Sequence, residues 1–115
     1  MTLSPRQIES RFDWAGLPAV SARVIQHAID IQQIPAPTFD EARRAAFVQA
    51  RFEALGLEQV YVDDLHNVYG CLRGNDPTRS AVLLSAHTDT VFEAATDLTI
   101  RREKDLIYGP GLGDN

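Results

Sequence analysis

A histidine and an aspartate two residues apart, His87 and Asp89, follow an apolar run in Ser85-Ala-His-Thr-Asp-Thr-Val91. A second aspartate, Asp114, ends the glycine-rich stretch Gly109-Pro-Gly-Leu-Gly-Asp114, 27 residues after His87 (114 − 87). An imidazole and two carboxylates in this order suit one half of a two-metal hydrolytic site. Neutral imidazole is a good zinc donor once a carboxylate accepts its other N–H and fixes the tautomer. In an extended chain residues 87 and 89 share a face and Thr88 turns away, so Asp89 is placed to serve His87. A carboxylate on a glycine turn can bridge two cations about 3.5–4 Å apart, one oxygen to each.

Other chemistries find less support. The Gly-x-Gly run lacks the Gly-Lys-Ser/Thr ending of a phosphate loop, and the sequence has no Gly-x-Ser-x-Gly elbow. Cys71 lies in an apolar strand-like run and reads as a small core residue rather than a nucleophile.

These residues need elements to carry them. Ser4-Pro5-Arg6-Gln7 forms a capping box with Pro at the first helical position, predicting a short helix to about Phe12. A longer helix is predicted from Pro18 to Gln33. Val20, Val24, Ile25, Ala28, Ile29 and Ile31 form its apolar face, and His27 lies outward in solvent. Pro35 and Pro37 interrupt the helical pattern. Thr38-Phe39-Asp40-Glu41 reads as a second capping box, opening a helix to about Leu55 that buries Ala42, Ala45, Ala46, Phe52 and Leu55. Gly56 is its C′ residue.

The period then becomes strand-like. Strands are predicted over 59–63 and 68–73 around a turn in which His66 tolerates positive φ. Ala81-Val-Leu-Leu84 is apolar without alternation, as in a central strand covered on both faces. Leu98–Arg102 and Leu106–Tyr108 read as a hairpin leading to the glycine turn. His87 and Asp89 thus fall at the carboxyl end of the most apolar strand, where ligands gather in open α/β sheets.

The chain has 115 residues, a net charge of −5, 44% apolar and 23% charged residues, which suits one soluble domain at most. The acidic balance disfavours a nucleic-acid partner, and no apolar stretch is long enough to span a bilayer. A single cysteine and the absence of a signal-peptide pattern predict a cytoplasmic location.

In combination these residues resemble the zinc-dependent metallopeptidase family of peptidase T, aminoacylase, succinyl-diaminopimelate desuccinylase and the glutamate carboxypeptidases. The similarity extends to Ile34-Pro-Ala-Pro-Thr-Phe-Asp-Glu41, to Leu55-Gly-Leu57, and to Asp64-Leu-His-Asn-Val68, where His66 replaces the family's usual glycine. Its strongest parts are Ser85–Val91 and Tyr108–Asp114.

The resemblance implies that residues 1–115 form the N-terminal portion of a three-layer α/β catalytic domain with a mixed sheet, its lid and dimerisation domain absent. It implies two zinc ions, with cobalt or manganese as substitutes. His87 would bind one zinc, Asp114 would bridge both, and Asp89 would be the catalytic-site residue that orients His87. The substrate would be a small peptide or an N-acyl amino acid, and the parent protein a homodimer. An aminopeptidase of the related zinc family, or a truncated non-catalytic module with a partial metal site, are the alternatives. The family's general base, a glutamate, and its remaining ligands have no counterpart in these residues, so the chain alone is expected to be inactive. The family also has a cis peptide after the bridging aspartate, at Asp114–Asn115 here, which this chain is not expected to enforce.

Overall fold

The computed structural model describes residues 4–114. Helix α1 (Pro5–Glu9) leads through a 3-10 turn (Trp14–Gly16) into α2 (Leu17–Gln32) and then α3 (Ala42–Ala54). Strands β1 (Glu58–Val62), β2 (Val68–Cys71), β3 (Arg101–Glu103) and β4 (Leu106–Tyr108) complete the order. The chain is therefore α/β in the general sense, with helices first and strands after. The strands form two separate antiparallel pairs, β1–β2 and β3–β4.

The first capping box forms as its sequence predicts. Gln7 N donates to Ser4 Oγ at 3.4 Å and Ser4 N donates to Gln7 Oε1 at 2.9 Å. The helix nevertheless stops at Glu9, short of the predicted Phe12.

In α2 only the last turns are covered. Ile29 and Gln32 are buried, whereas Val20, Val24 and Ile25 of the predicted apolar face are exposed. The helical period is present, but among the described residues Val20, Val24 and Ile25 are left uncovered. His27 departs from its predicted solvent position: it is half-buried, with its Nε2 2.5 Å from a guanidinium nitrogen of Arg51 on α3.

The second capping box does not form. Phe39 takes a φ of 74° and its N–H is accepted by Glu41 Oε1 at 2.7 Å, while the Thr38 hydroxyl turns to Asp89. Helix α3 therefore starts at Ala42 without a side-chain cap. Its buried residues are Arg44 and Ala45, with Phe52 half-buried; Ala42, Ala46 and Leu55 face solvent, against expectation. Its end follows the predicted pattern. Gly56 has a φ of 73°, its N–H reaches Glu53 O, and Leu57 N reaches Phe52 O, the paired bonds of a Schellman motif.

That turn delivers β1 directly against α3. A side chain at Gly70 of β2 would meet Phe52 Cδ2 at 2.7 Å and Leu57 Cδ2 at 2.8 Å, so glycine permits the close approach. One extra residue bulges β1 between Glu58 and Tyr61, where Gln59 has a φ of 52°. Beyond it Tyr61 and Tyr69 stack at 4.6 Å. His66 takes the predicted left-handed conformation, φ 63°.

Asp63 organises this turn by accepting from Leu65 N, Asn67 N, Asn67 Nδ2 and Tyr69 Oη at 2.9–3.1 Å. These donors, the Asn67 side chain foremost, hold its carboxyl below the usual carboxylate range. Glu58 is held low likewise by its bond to Arg73. A carboxyl that releases its proton more readily when folded leaves the unfolded chain binding more protons, so stability rises with pH. The contribution is complete at neutral pH and disappears as the pH falls below the ordinary value of about 4 toward the folded one. The urea midpoint should hold steady near neutrality and fall on acidification. The fall should be shallower in Asp63→Asn; an unchanged slope would contradict this account.

The largest departure lies at residues 81–84. Val82, Leu83 and Leu84 do not form a covered central strand; among the described residues they pair with no strand, and they are 84–90% exposed. A strand needs a neighbour to pair its N–H and C=O groups, and among the described residues none runs beside this segment. Cys71, at the end of β2, is accordingly exposed rather than in a core. The only parallel pairing among the described residues is an isolated bridge between Pro37 and Thr90.

The dimensions agree with this. A compact chain of this length has a radius of gyration of about 13 Å and exposes about 6,300 Å². The observed values are 17.3 Å and 9623 Å². The buried apolar residues, Ile29, Ala36 and Ala45, lie where α2, the proline segment and α3 meet. That junction is where the candidate site is attached. Among the described residues no helix is long and apolar enough to cross a membrane.

Candidate metal centre

The segment 87–90 leaves the exposed run and docks on the proline segment. Thr90 N donates to Ala36 O at 2.8 Å, making the bridge with Pro37. His87 and Asp89, two residues apart in this segment, bring their side chains together. His87 Nδ1 lies 3.2 Å from Asp89 Oδ1 and 3.1 Å from the Asp89 carbonyl oxygen. Facing two acceptors, Nδ1 carries the proton in the neutral ring, and Nε2 is then the basic nitrogen. Nε2 points toward Asp114, whose Oδ1 is 3.9 Å away.

Asp89 is itself restrained. Thr38 Oγ donates to its Oδ2 at 2.5 Å, and this bond, followed by the His87 imidazole, keeps its carboxyl below the usual carboxylate range. It remains an anion at neutral pH and so continues to accept from Nδ1.

Asp114 arrives on the glycine turn. The hairpin β3–β4 turns at Lys104-Asp105, with Lys104 at φ 51°, and runs out into Gly109. Leu112 N bonds Gly109 O at 3.3 Å and Gly111 has a φ of 69°, so the chain folds back within four residues. The buried Gln32 of α2 secures the turn by donating to Pro110 O at 3.0 Å and Leu98 O at 3.2 Å. The glycine turn is thus tied to α2, and the His87 segment to the proline segment and α3.

All three sequence-predicted site residues come together: His87 contacts Asp89 directly and faces Asp114. The site is open, with the side chains of His87 and Asp114 52% and 59% exposed. His66 stays in its surface turn, and His27 is engaged with Arg51. Asn115, and with it the Asp114–Asn115 peptide bond, lies outside the described residues.

The two candidate ligands lie close to the spacing that one zinc ion requires. At a tetrahedral angle, zinc bonds of about 2.0–2.2 Å place two donor atoms about 3.3–3.5 Å apart, so Nε2 and Oδ1, at 3.9 Å, would have to close by about half an ångström to share one ion. Among the described residues no group of three or more His, Cys, Asp or Glu side chains is arranged to hold a metal ion. Three protein ligands are usual for catalytic zinc, and the arrangement here offers two candidates, His87 and Asp114.

Sequence reasoning missed three residues that build this site: Gln32, Thr38 and Arg44. The signal for two of them was present. Gln32 falls three residues after Ile29 on the covered face of α2, and Arg44 stands beside Ala45 on the covered face of α3. A polar side chain at such a position must find partners inside the protein. Thr38 gave no such sign, since its capping-box pattern pointed to a local bond.

No family model matches the chain, and no curated protein aligns with it at a significant level.

Proposed function

We propose that this chain is the leading part of the catalytic domain of a dizinc hydrolase acting on amide bonds of small peptides or N-acyl amino acids. The observation that carries the reading is the arrangement Asp89–His87–Asp114. A carboxylate holds Nδ1 of the imidazole, and a second carboxylate faces Nε2 at 3.9 Å. A carboxylate on the other ring nitrogen is the usual support of a zinc-ligating histidine. Asp114, on a turn anchored by Gln32, would ligate alongside it and supply the bridging oxygen. Asp89 would keep His87 in one tautomer. Bound zinc supplies a water with a pKa near 7 and polarisation of the scissile carbonyl. The exposed apolar segment at 82–84 fits the reading of an unfinished domain, since such surface is covered in a completed sheet.

The chain on its own has two candidate zinc ligands for two ions. It is therefore expected to bind zinc weakly and to hydrolyse neither dipeptides nor N-acetyl amino acids. Incubating the zinc-loaded chain with a panel of both substrates, and following amine release, tests this. Zinc-dependent turnover would show that the chain carries a working site and would overturn the assignment of these residues to half of one.

A second reading, a non-catalytic module with a partial metal site, is favoured by the same ligand count. Adding separately expressed downstream sequence from the source organism separates the two: restored hydrolysis supports the enzyme, and a bound but inactive complex supports the module.

A further inference from the structure

We propose that Arg44 is a positioning residue for the metal centre, fixing the Thr88 peptide so that His87 and Asp89 present their side chains in register. The inference rests on the reading of His87 and Asp114 as zinc ligands. Arg44 is only 7% exposed, yet its guanidinium is bonded to backbone carbonyls rather than to a carboxylate. Nη1 donates to Thr88 O at 2.7 Å, while Nη2 and Nε donate to Ile34 O at 2.6 and 3.2 Å. Burying a cation on neutral acceptors is costly, and burial works against its charge while the nearby Asp89 favours it. Joining the two segments does not require it, because Thr90 N already bonds Ala36 O.

What the arginine adds is location. Thr88 is the residue between His87 and Asp89, so fixing its carbonyl fixes the peptide plane that leads into Asp89. Thr38 restrains the same residue from the other end through the Asp89 carboxylate. The proline segment and α3 thereby hold Asp89 at both backbone and side chain, and Asp89 holds the imidazole. The guanidinium fork reaches two carbonyls at once; a lysine ammonium is a point donor and cannot reproduce that spacing.

The test is Arg44→Lys in the full chain, with the His87 ring nitrogens followed by NMR, first without metal and then during zinc titration. The variant is expected to lose the dominance of the Nδ1–H tautomer in the metal-free state and to bind zinc about tenfold more weakly. Thr38→Val should move both readouts in the same direction, and Thr38→Ser should restore them. An unchanged tautomer and zinc affinity in Arg44→Lys would overturn the proposal and leave Arg44 as a tie between segments. If the unaltered chain binds no zinc, the metal-centre reading fails, and the metal-free tautomer still decides the role of Arg44. If Arg44→Lys does not fold, the unaltered chain decides. Slow exchange of the Arg44 guanidinium protons, with contacts to Thr88 and Ile34, supports the role, and fast exchange overturns it.

Discussion

Replacing His87 with alanine is expected to remove zinc binding by the chain, a loss of more than about 100-fold in affinity. Changes to groups that merely support a ligand already cost about 10–100-fold, and this substitution removes a ligand itself. Asp114→Ala should do the same, because the remaining imidazole would hold the ion alone. Asp89→Ala should cost less, at the lower end of that range. Its carboxylate accepts from Nδ1 rather than holding the ion, and its loss weakens the Nδ1–H tautomer, leaving only the Asp89 carbonyl oxygen at 3.1 Å as an acceptor. The order His87 and Asp114 first, Asp89 second, is the signature of two ligands and one supporting residue. Calorimetric zinc titration of the three variants reads it directly; equal losses at all three positions would contradict the assigned roles.

The second large effect concerns stability. Arg44→Met keeps the length of the aliphatic stem but removes all three bonds to Ile34 O and Thr88 O. A buried carbonyl left without a donor costs about 1–3 kcal/mol, and these two are part-buried, so the variant should lose about 2 kcal/mol. Native domains have only about 5–15 kcal/mol in hand, and a chain with so small a core has little reserve. A lowered urea midpoint is expected, with the Thr90–Ala36 bond kept. A midpoint within about 0.5 kcal/mol of the unaltered chain would show that the two carbonyls do not depend on the guanidinium.

Much of the site was legible in the sequence, and the reasons are local. His87 and Asp89 are only two residues apart, and Asp114 reaches them on a tight turn that Gly111 allows with its φ of 69°. The Ser4 capping box, the Gly56 helix end and the left-handed His66 are likewise decided within a few residues. Expectations that needed a distant partner fared differently. Ala81–Leu84 has the composition of a central strand, but pairing comes from neighbours, and none lies beside it among the described residues. Cys71 and the first half of α2 are exposed for the same reason. Thr38 shows the converse: a residue with a sound local use, capping α3, was drawn to Asp89 instead, 51 positions away (89 − 38). Such long-range bonds leave little trace in one sequence, apart from polar residues such as Gln32 and Arg44 on otherwise covered helix faces.

The most direct test of the central claim is a zinc titration of the chain with its three histidines followed individually by nitrogen-15 NMR. The account predicts that the His87 ring responds first, with metal at Nε2 and the proton kept at Nδ1, and that Asp114→Ala abolishes the response. Zinc taken up at His27 or His66 while His87 is unaffected, or a His87 response indifferent to Asp114, would contradict it.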